Sequence, residues 1–100
     1  MALQILQNEE IVEIVGKLAG SSLEYLHNFL EAIHNESDFL TLSLEKVTML
    51  DHVSAKELEK LYKSAAKENK VLTIIGDQNA NILPLMRKTK TDYILSHDRV

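Results

Sequence analysis

Three kinds of chemistry are suggested by the residue types along the chain. "LDHVS" sets Asp51, His52 and Ser54 within four residues, and "SHD" repeats hydroxyl, imidazole and acid at Ser96, His97 and Asp98. Those three groups together are the equipment of a hydrolase: the hydroxyl attacks, the imidazole takes its proton and the carboxylate orients the ring. Such groups are brought together in space from separate segments, and neighbours in sequence seldom reach the required geometry. No G-x-S-x-G elbow is present to expose a nucleophile. Metal binding is the second chemistry. His27 and His34 are seven residues apart and could share a helix face, but no H-x-x-x-H or carboxylate at ligand spacing accompanies them. They read as surface histidines. The third is phosphate binding by "GKLAGSS". A phosphate loop needs Gly-Lys-Ser/Thr together as the helix begins, whereas Lys17 precedes Gly20 by three residues. What remains is a turn with at most a weak anion site at the following helix start.

The elements that must position these residues follow from periodicity. "ALQILQ" and "EIVEIV" flank Asn8-Glu9 and predict a hairpin, Leu3–Gln7 with Glu10–Val15. Gly16 and Gly20 then bracket a loop. Leu23, Leu26, Leu30 and Ile33, with Phe29 alongside, recur at helical spacing. Ser21 and Glu24 form a capping-box signature, and Asn35-Glu36-Ser37 closes the helix. "DFLTLSL" alternates, with Leu40, Leu42 and Leu44 on one face and Phe39, Thr41 and Ser43 on the other. Ala55, Leu58, Leu61, Tyr62, Ala65 and Ala66 form the apolar stripe of a second helix ended by Asn69. "VLTII" is the pattern of a strand covered on both faces, stopped by Gly76. A shorter helix spans "NANILPLMRKTK". With Asn81 as its N-cap, Pro84 falls in the first turn, where a missing N–H costs nothing. Arg87, Lys88 and Lys90 sit near its C-terminal end, as the macrodipole favours. "DYIL" adds a short last strand, and "SHDRV" is a frayed end.

The order is β-β-α-β-α-β-α-(β). Right-handed crossovers make the later strands parallel, while the first hairpin supplies an antiparallel edge. The expected fold is a single α/β domain over residues 1–100, with a mixed sheet of four to five strands packed with three or more helices.

Composition narrows the function classes. The chain has 100 residues, 45% hydrophobic and 26% charged, with a formal net charge of −4. Nucleic-acid binding needs clustered Lys and Arg. Here Lys56, Lys60, Lys63, Lys67 and Lys70 are interleaved with Glu57, Glu59 and Glu68 as a mixed solvated face. With no cysteine, disulfides and thiolate sites are excluded, and a reducing cytoplasm is the fitting compartment. The first residues lack the basic flank and apolar core of a signal peptide. No apolar run approaches the ~20 residues of a membrane span.

The Asp51 junction has a structural reading beside the functional one. Ser54 and Glu57 have capping-box spacing, worth typically ~1 kcal/mol. Asp51 suits a turn before a helix. His52 and Val53 are not accounted for in this way. They fall at the C-terminal end of a parallel strand, where α/β proteins place binding surfaces.

These residues also resemble a known family. An apolar strand (Leu40–Leu44), Val47, Leu50 and Asp51, then a helix with Leu58, Leu61, Tyr62 and Ala65, then Lys70, Leu72 and Gly76, is similar to the STAS domain. That family includes anti-sigma factor antagonists and the cytoplasmic tails of sulfate-permease-type anion transporters. Gly16, Leu18 and Leu26 match its upstream stretch, so the similarity covers nearly the whole chain. The resemblance implies a STAS-like domain that is not an enzyme. It would need no cofactor or metal and would bind a protein partner through the loop and helix start after Asp51. In anti-sigma factor antagonists that partner is an anti-sigma serine kinase. Phosphorylation of the second hydroxyl residue after the Asp switches binding off, since a phosphate adds about −1.5 to −2 charges where a partner packs.

The chain departs from the family pattern where the switch belongs. His52, Val53 and Ser54 stand in place of Ser-Ser-Gly, so the usual phosphoacceptor is Val53, and Ala19 replaces a common acid. Either the switch is absent or Ser54 is an offset acceptor; absence is favoured, because capping already explains Ser54. The expectation is therefore a cytoplasmic, anti-sigma factor antagonist-like regulator of transcription. Its predicted contact surface comprises Leu50, Asp51, His52, Val53, Ser54, Ala55, Glu57 and Leu58, with the Gly16–Ser22 loop beside it. The alternative is a regulatory STAS subunit of an anion or lipid (ABC) transport system. Asp-His at this junction resembles some transporter tails, while the initiating methionine and the lack of a membrane segment favour a free-standing protein. A weak homodimer is expected if the hairpin strand is an uncovered edge.

Overall fold

A computed structural model describes residues 3–8, 11–34 and 38–96. The elements run β1 (Gln4–Asn8), β2 (Ile11–Leu18), α1 (Ser21–His34), β3 (Phe39–Leu50), α2 (His52–Lys67), β4 (Val71–Ile75) and α3 (Leu83–Lys88), then a 3₁₀ turn over Asp92–Ile94. The sheet order is β1-β2-β3-β4, antiparallel in the hairpin and parallel from β2 onward. This is the mixed α/β arrangement expected from the sequence. The proposed closing residues 35–37 and terminal residues 97–100 lie outside the described residues, as does the side chain of Ser21.

Because β2, β3 and β4 are laid down in order and in parallel, right-handed crossovers send α1 and α2 to the same face. Side-chain alternation agrees. Val12 and Ile14, Leu40 and Leu42, and Leu72 and Ile74 are buried on that face, beneath Leu26 and Leu30 of α1 and Ala55, Leu58 and Ala65 of α2. Met86 of α3 and Ile82 just before it complete the core. The opposite face carries Leu6, Ile11, Glu13, Thr41, Thr73 and Val71, and among the described residues no helix covers it.

β3 is twelve residues long and changes phase along its length. Glu13 pairs with Ser43 but Val15 with Lys46, and Gly16 pairs with Val47 but Lys17 with Met49. Each step leaves one extra residue in β3, so the strand carries two bulges. They rephase the alternation: after Leu40, Leu42 and Leu44, the next buried apolar residues are Val47 and Leu50. Asn79 holds this distortion in place. Its side-chain amide donates to the Leu44 and Val47 carbonyls, both at 2.8 Å, and its Oδ1 accepts from Asn81 N–H at 2.9 Å.

Several local expectations are corrected. Gly16 does not open a loop; it sits within β2 with φ 103°, beside a register shift that its missing Cβ permits. β4 is not covered on both faces. Leu72 and Ile74 are buried, whereas Val71 is half exposed on the face that no described helix covers, and the last strand has a neighbour over only part of its outer edge. That neighbour is Leu95, which bridges Ile74, with Ser96 N–H donating to Ile74 O at 2.7 Å; "DYIL" is thus a 3₁₀ turn and one bridge, not a strand. Asn81 does not cap α3. Ile82 occupies that position without a side-chain bond, and Asn81 N–H is already taken by Asn79, although Pro84 does fall in the first turn.

Asn69 does end α2. It adopts φ 60°, its N–H donates to Ala66 O at 3.2 Å, and Lys70 N–H reaches back to Ala65 O at 2.9 Å. This is the Schellman arrangement, in which the left-handed residue satisfies the helix's last carbonyls.

Candidate functional site

The C-terminal ends of β2 and β3 carry two loops that meet at Asp51. The Asp51 backbone is extended (φ −99°, ψ 174°), so its carboxylate folds back over the start of α2. Its Oδ1 accepts from Ser54 N–H at 2.8 Å, and its carbonyl accepts the first intrahelical bond from Ala55 N–H at 3.0 Å. Asp51 is therefore the N-cap. The expected capping box between Ser54 and Glu57 is not formed, because Ser54 is already the third residue of the helix. Either spacing suits a helix start; the acid has the advantage that its negative charge at the N-cap also meets the macrodipole.

The second carboxylate oxygen, Oδ2, accepts from Gly20 N–H at 3.4 Å. Gly20 has φ 59° and introduces α1. Ser22 braces the same loop: its hydroxyl donates to the Ala19 carbonyl at 2.7 Å and accepts from Ala19 N–H at 3.1 Å. One carboxylate thus joins the entrances of α1 and α2. Partial burial raises the Asp51 pKa, but the hydrogen bonding from Ser54 and the N–H of Gly20 outweighs it and holds the carboxyl below the usual aspartate range.

The structure divides the eight predicted contact residues into two groups. Leu50, Ser54, Ala55 and Leu58 are buried and shape the surface from beneath. His52 and Val53 are exposed, Val53 by 67%, while Asp51 and Glu57 are half-buried. Glu57 points to α1, where its Oε2 lies 3.4 Å from His27 Nδ1; His27 Nε2 in turn lies 3.5 Å from Glu31. The His27 Nδ1 contact is of ion-pair distance but lacks hydrogen-bond alignment. A shallow depression lined by Gly20, Leu23, Glu24, His27 and Glu57 adjoins the Asp51 bend.

Ser54 Oγ is fully buried and has no hydrogen-bond partner. It lies close enough to the Asp51 carboxylate to lower its pKa, yet outside hydrogen-bond geometry. His52 makes no side-chain hydrogen bond among the described residues and does not line the apolar groove of about 160 Å³ between α1 and α2. That groove has Leu30, Leu40, Leu61 and Leu72 as its walls, with His27, Glu31 and Glu68 at the rim. Among the described residues no group of three or more His, Asp or Glu side chains is placed to hold a metal ion.

The arrangement of a hairpin, three parallel strands and helices on one face has a counterpart among solved structures. The chain matches the crystal structure of an anti-sigma factor antagonist from Mycobacterium paratuberculosis with a TM-score of 0.67. The match covers 94% of this chain and 81% of that one, at 18% sequence identity. The fold is of the STAS type. No family model matches the chain, and no curated protein is similar to it at a significant level. In this STAS-type frame, Asp51, His52 and Val53 stand at the β3–α2 junction. Among the described residues no helix is long and apolar enough to cross a membrane.

Asn79 was missed by sequence reasoning. "GDQNAN" has the composition of an ordinary turn, and no local signal separates Asn79 from Asn81. An extra residue in "LSLEKV", between the buried Leu44 and Val47, was the only available hint that two carbonyls would need an outside donor.

Proposed function

We propose that this protein is a non-enzymatic, cytoplasmic regulatory module, akin to an anti-sigma factor antagonist, that binds a protein partner through the β3–α2 junction. The observation that carries the reading is Val53: an apolar side chain at the first turn of α2, 67% exposed, next to an exposed imidazole and two residues after the capping carboxylate. A lone exposed apolar side chain is ordinary by its exposure alone; the place of this one adds the weight, since α/β proteins put binding surfaces at the C-terminal ends of their parallel strands. The likeness in fold to an anti-sigma factor antagonist supports the same class of partner, an anti-sigma factor; that this partner is a serine kinase is what the sequence resemblance to the STAS family implies.

The switch of that class is absent in this reading. Val53 has no hydroxyl, and Ser54 Oγ is buried under the helix start, where a kinase reaches it only if α2 unwinds. Binding is then constitutive and is set by the amounts of the two proteins. The test is binding to candidate anti-sigma kinases by calorimetry, with wild type, Val53→Glu and Asp51→Lys. Wild-type binding that is lost in both folded variants supports the reading, and retention of affinity in both removes this surface from it.

A further inference from the structure

We propose that the groove between α1 and α2 binds a small apolar ammonium, a body the size of one benzene ring that carries a single positive charge. The groove follows from how the two helices face each other. Its α2 wall is Leu61, Ser64, Ala65 and Glu68, an i, i+3, i+4, i+7 set on one side of the helix. Leu30 and Glu31 of α1 stand opposite. The floor is Leu40 beside Leu72, partners in the β3–β4 register. Nearer the helix N-termini, Glu57 reaches to 3.4 Å from His27 and spans the gap. Further along, Ser64 and Ala65 are too short to do the same, so the floor stays open between the helices. The space is about 160 Å³. An apolar cavity of about 150 Å³ holds one benzene molecule. Sites for drug-sized ligands run to roughly 300–1,000 Å³, so nucleotides and larger cofactors do not fit here.

Charge sets the head group. The titratable residues of the lining are His27, Glu31 and Glu68, and no lysine or arginine lines the groove. Glu31 and Glu68 come from opposite helices, so a carboxylate stands on each side of the opening. Past His27, the adjoining depression adds Glu24 and Glu57. The whole chain carries −4. An anion is therefore repelled at short and long range, and a cation is attracted at both. His27 is the lining group that competes with a bound cation. Its contact with Glu31 is 3.5 Å between side chains that are 39% and 71% exposed, a surface pairing of the kind worth little. A ring laid on Leu40 and Leu72 with its ammonium at the rim meets both the apolar and the charged demand; a neutral ligand meets only the first. The groove opens between the helices and does not include Val53, so this inference does not depend on the proposed partner.

Benzylamine titrated into the methyl-labelled full chain and followed by nuclear magnetic resonance tests the site. Saturable shifts are expected at the methyl groups of Leu30, Leu40, Leu61 and Leu72. Benzyl alcohol has nearly the same shape without the charge and should bind about fivefold more weakly, the scale of one or two exposed ion pairs. Benzoate should bind more weakly still. Glu31→Gln and Glu68→Gln should each weaken benzylamine by about twofold to fivefold and leave benzyl alcohol unchanged, a split that misfolding does not produce. Ser64→Leu fills the groove from an exposed helix position and should abolish binding of both ligands. Circular dichroism melts confirm that each variant is folded. The absence of saturable shifts at these leucines overturns the proposal. So does benzyl alcohol binding as tightly as benzylamine, since the carboxylates then select nothing. Binding that survives Ser64→Leu overturns it too, because the ligand then sits elsewhere.

Discussion

Asp51 accepts the Ser54 N–H at 2.8 Å, although Ser54 has the spacing of a cap in its own right. The relationship makes Asp51 the residue on which the junction's stability rests. Asp51→Ala should cost ~1 kcal/mol, the usual magnitude for an N-cap, whereas Asp51→Asn should cost only a few tenths because Asn caps as well. Chemical denaturation of the two variants checks this. Acid adds a second readout. A carboxyl whose folded pKa is lowered contributes stability that is complete above its unfolded value of about 4 and is lost as pH falls through the folded value. Wild type should therefore lose stability over that acidic window more steeply than Asp51→Asn.

Ser54 carries the opposite expectation. Its buried hydroxyl lacks a partner, so removing it deletes an unsatisfied polar group and adds the best helix former. Ser54→Ala should leave stability unchanged or raise it, by up to ~1 kcal/mol. Ser54→Asp buries a charge beside Asp51 and should destabilise by several kcal/mol. Thermal melts separate the two outcomes. A strongly destabilised Ser54→Ala would show that the hydroxyl has a partner after all.

The ladder of strands and helices was legible because each apolar pattern is local. Leu40, Leu42 and Leu44 announce a strand at period two, and Ala55, Leu58, Leu61 and Ala65 announce a helix at period three to four. The errors came where a tertiary contact decided between two local options. Gly16 looked like a loop residue because its left-handed φ serves a bulge as readily as a turn. Ser54 and Asp51 both fit a cap, and only the approach of Gly20 N–H shows why the acid holds that place. The apolar run of β4 matched a buried strand, but its exposure depends on whether anything covers the sheet's second face, which no five-residue window contains. The sequence resemblance proposes Leu50 to Leu58 as a contact surface, while the burial of Leu50, Ser54, Ala55 and Leu58 needed coordinates.

Asn79 is the strongest stability prediction outside that surface. Asn79→Ala strips the Leu44 and Val47 carbonyls of their shared donor inside the core and should cost ~1–3 kcal/mol. Asn79→Asp keeps the shape but sets a carboxylate against both carbonyls, so it should be the more destabilised variant at neutral pH. Denaturation at pH 7 ranks the two. Hydrogen exchange should place the extra opening in β3 and its bulge rather than in α1.

Tyr93 ties the 3₁₀ turn to α2. Its hydroxyl donates to Glu59 at 2.5 Å, and its ring meets Tyr62 edge-on with centroids 6.5 Å apart. The bond to Glu59 raises the Tyr93 pKa and lowers that of Glu59, whose carboxylate Lys63 and Lys56 also favour. A phenol with a raised folded pKa contributes stability that is complete below its unfolded value of about 10 and is lost as pH rises through the folded value. Ultraviolet titration should accordingly show one tyrosine ionising later than the others in wild type, and that late step should vanish in Tyr93→Phe. Glu59→Gln removes the charge while leaving an acceptor, so Tyr93 should then ionise earlier. Unchanged titration in Glu59→Gln would assign the delay to something other than this hydrogen bond, and the link between the last turn and α2 would lose its chemical basis.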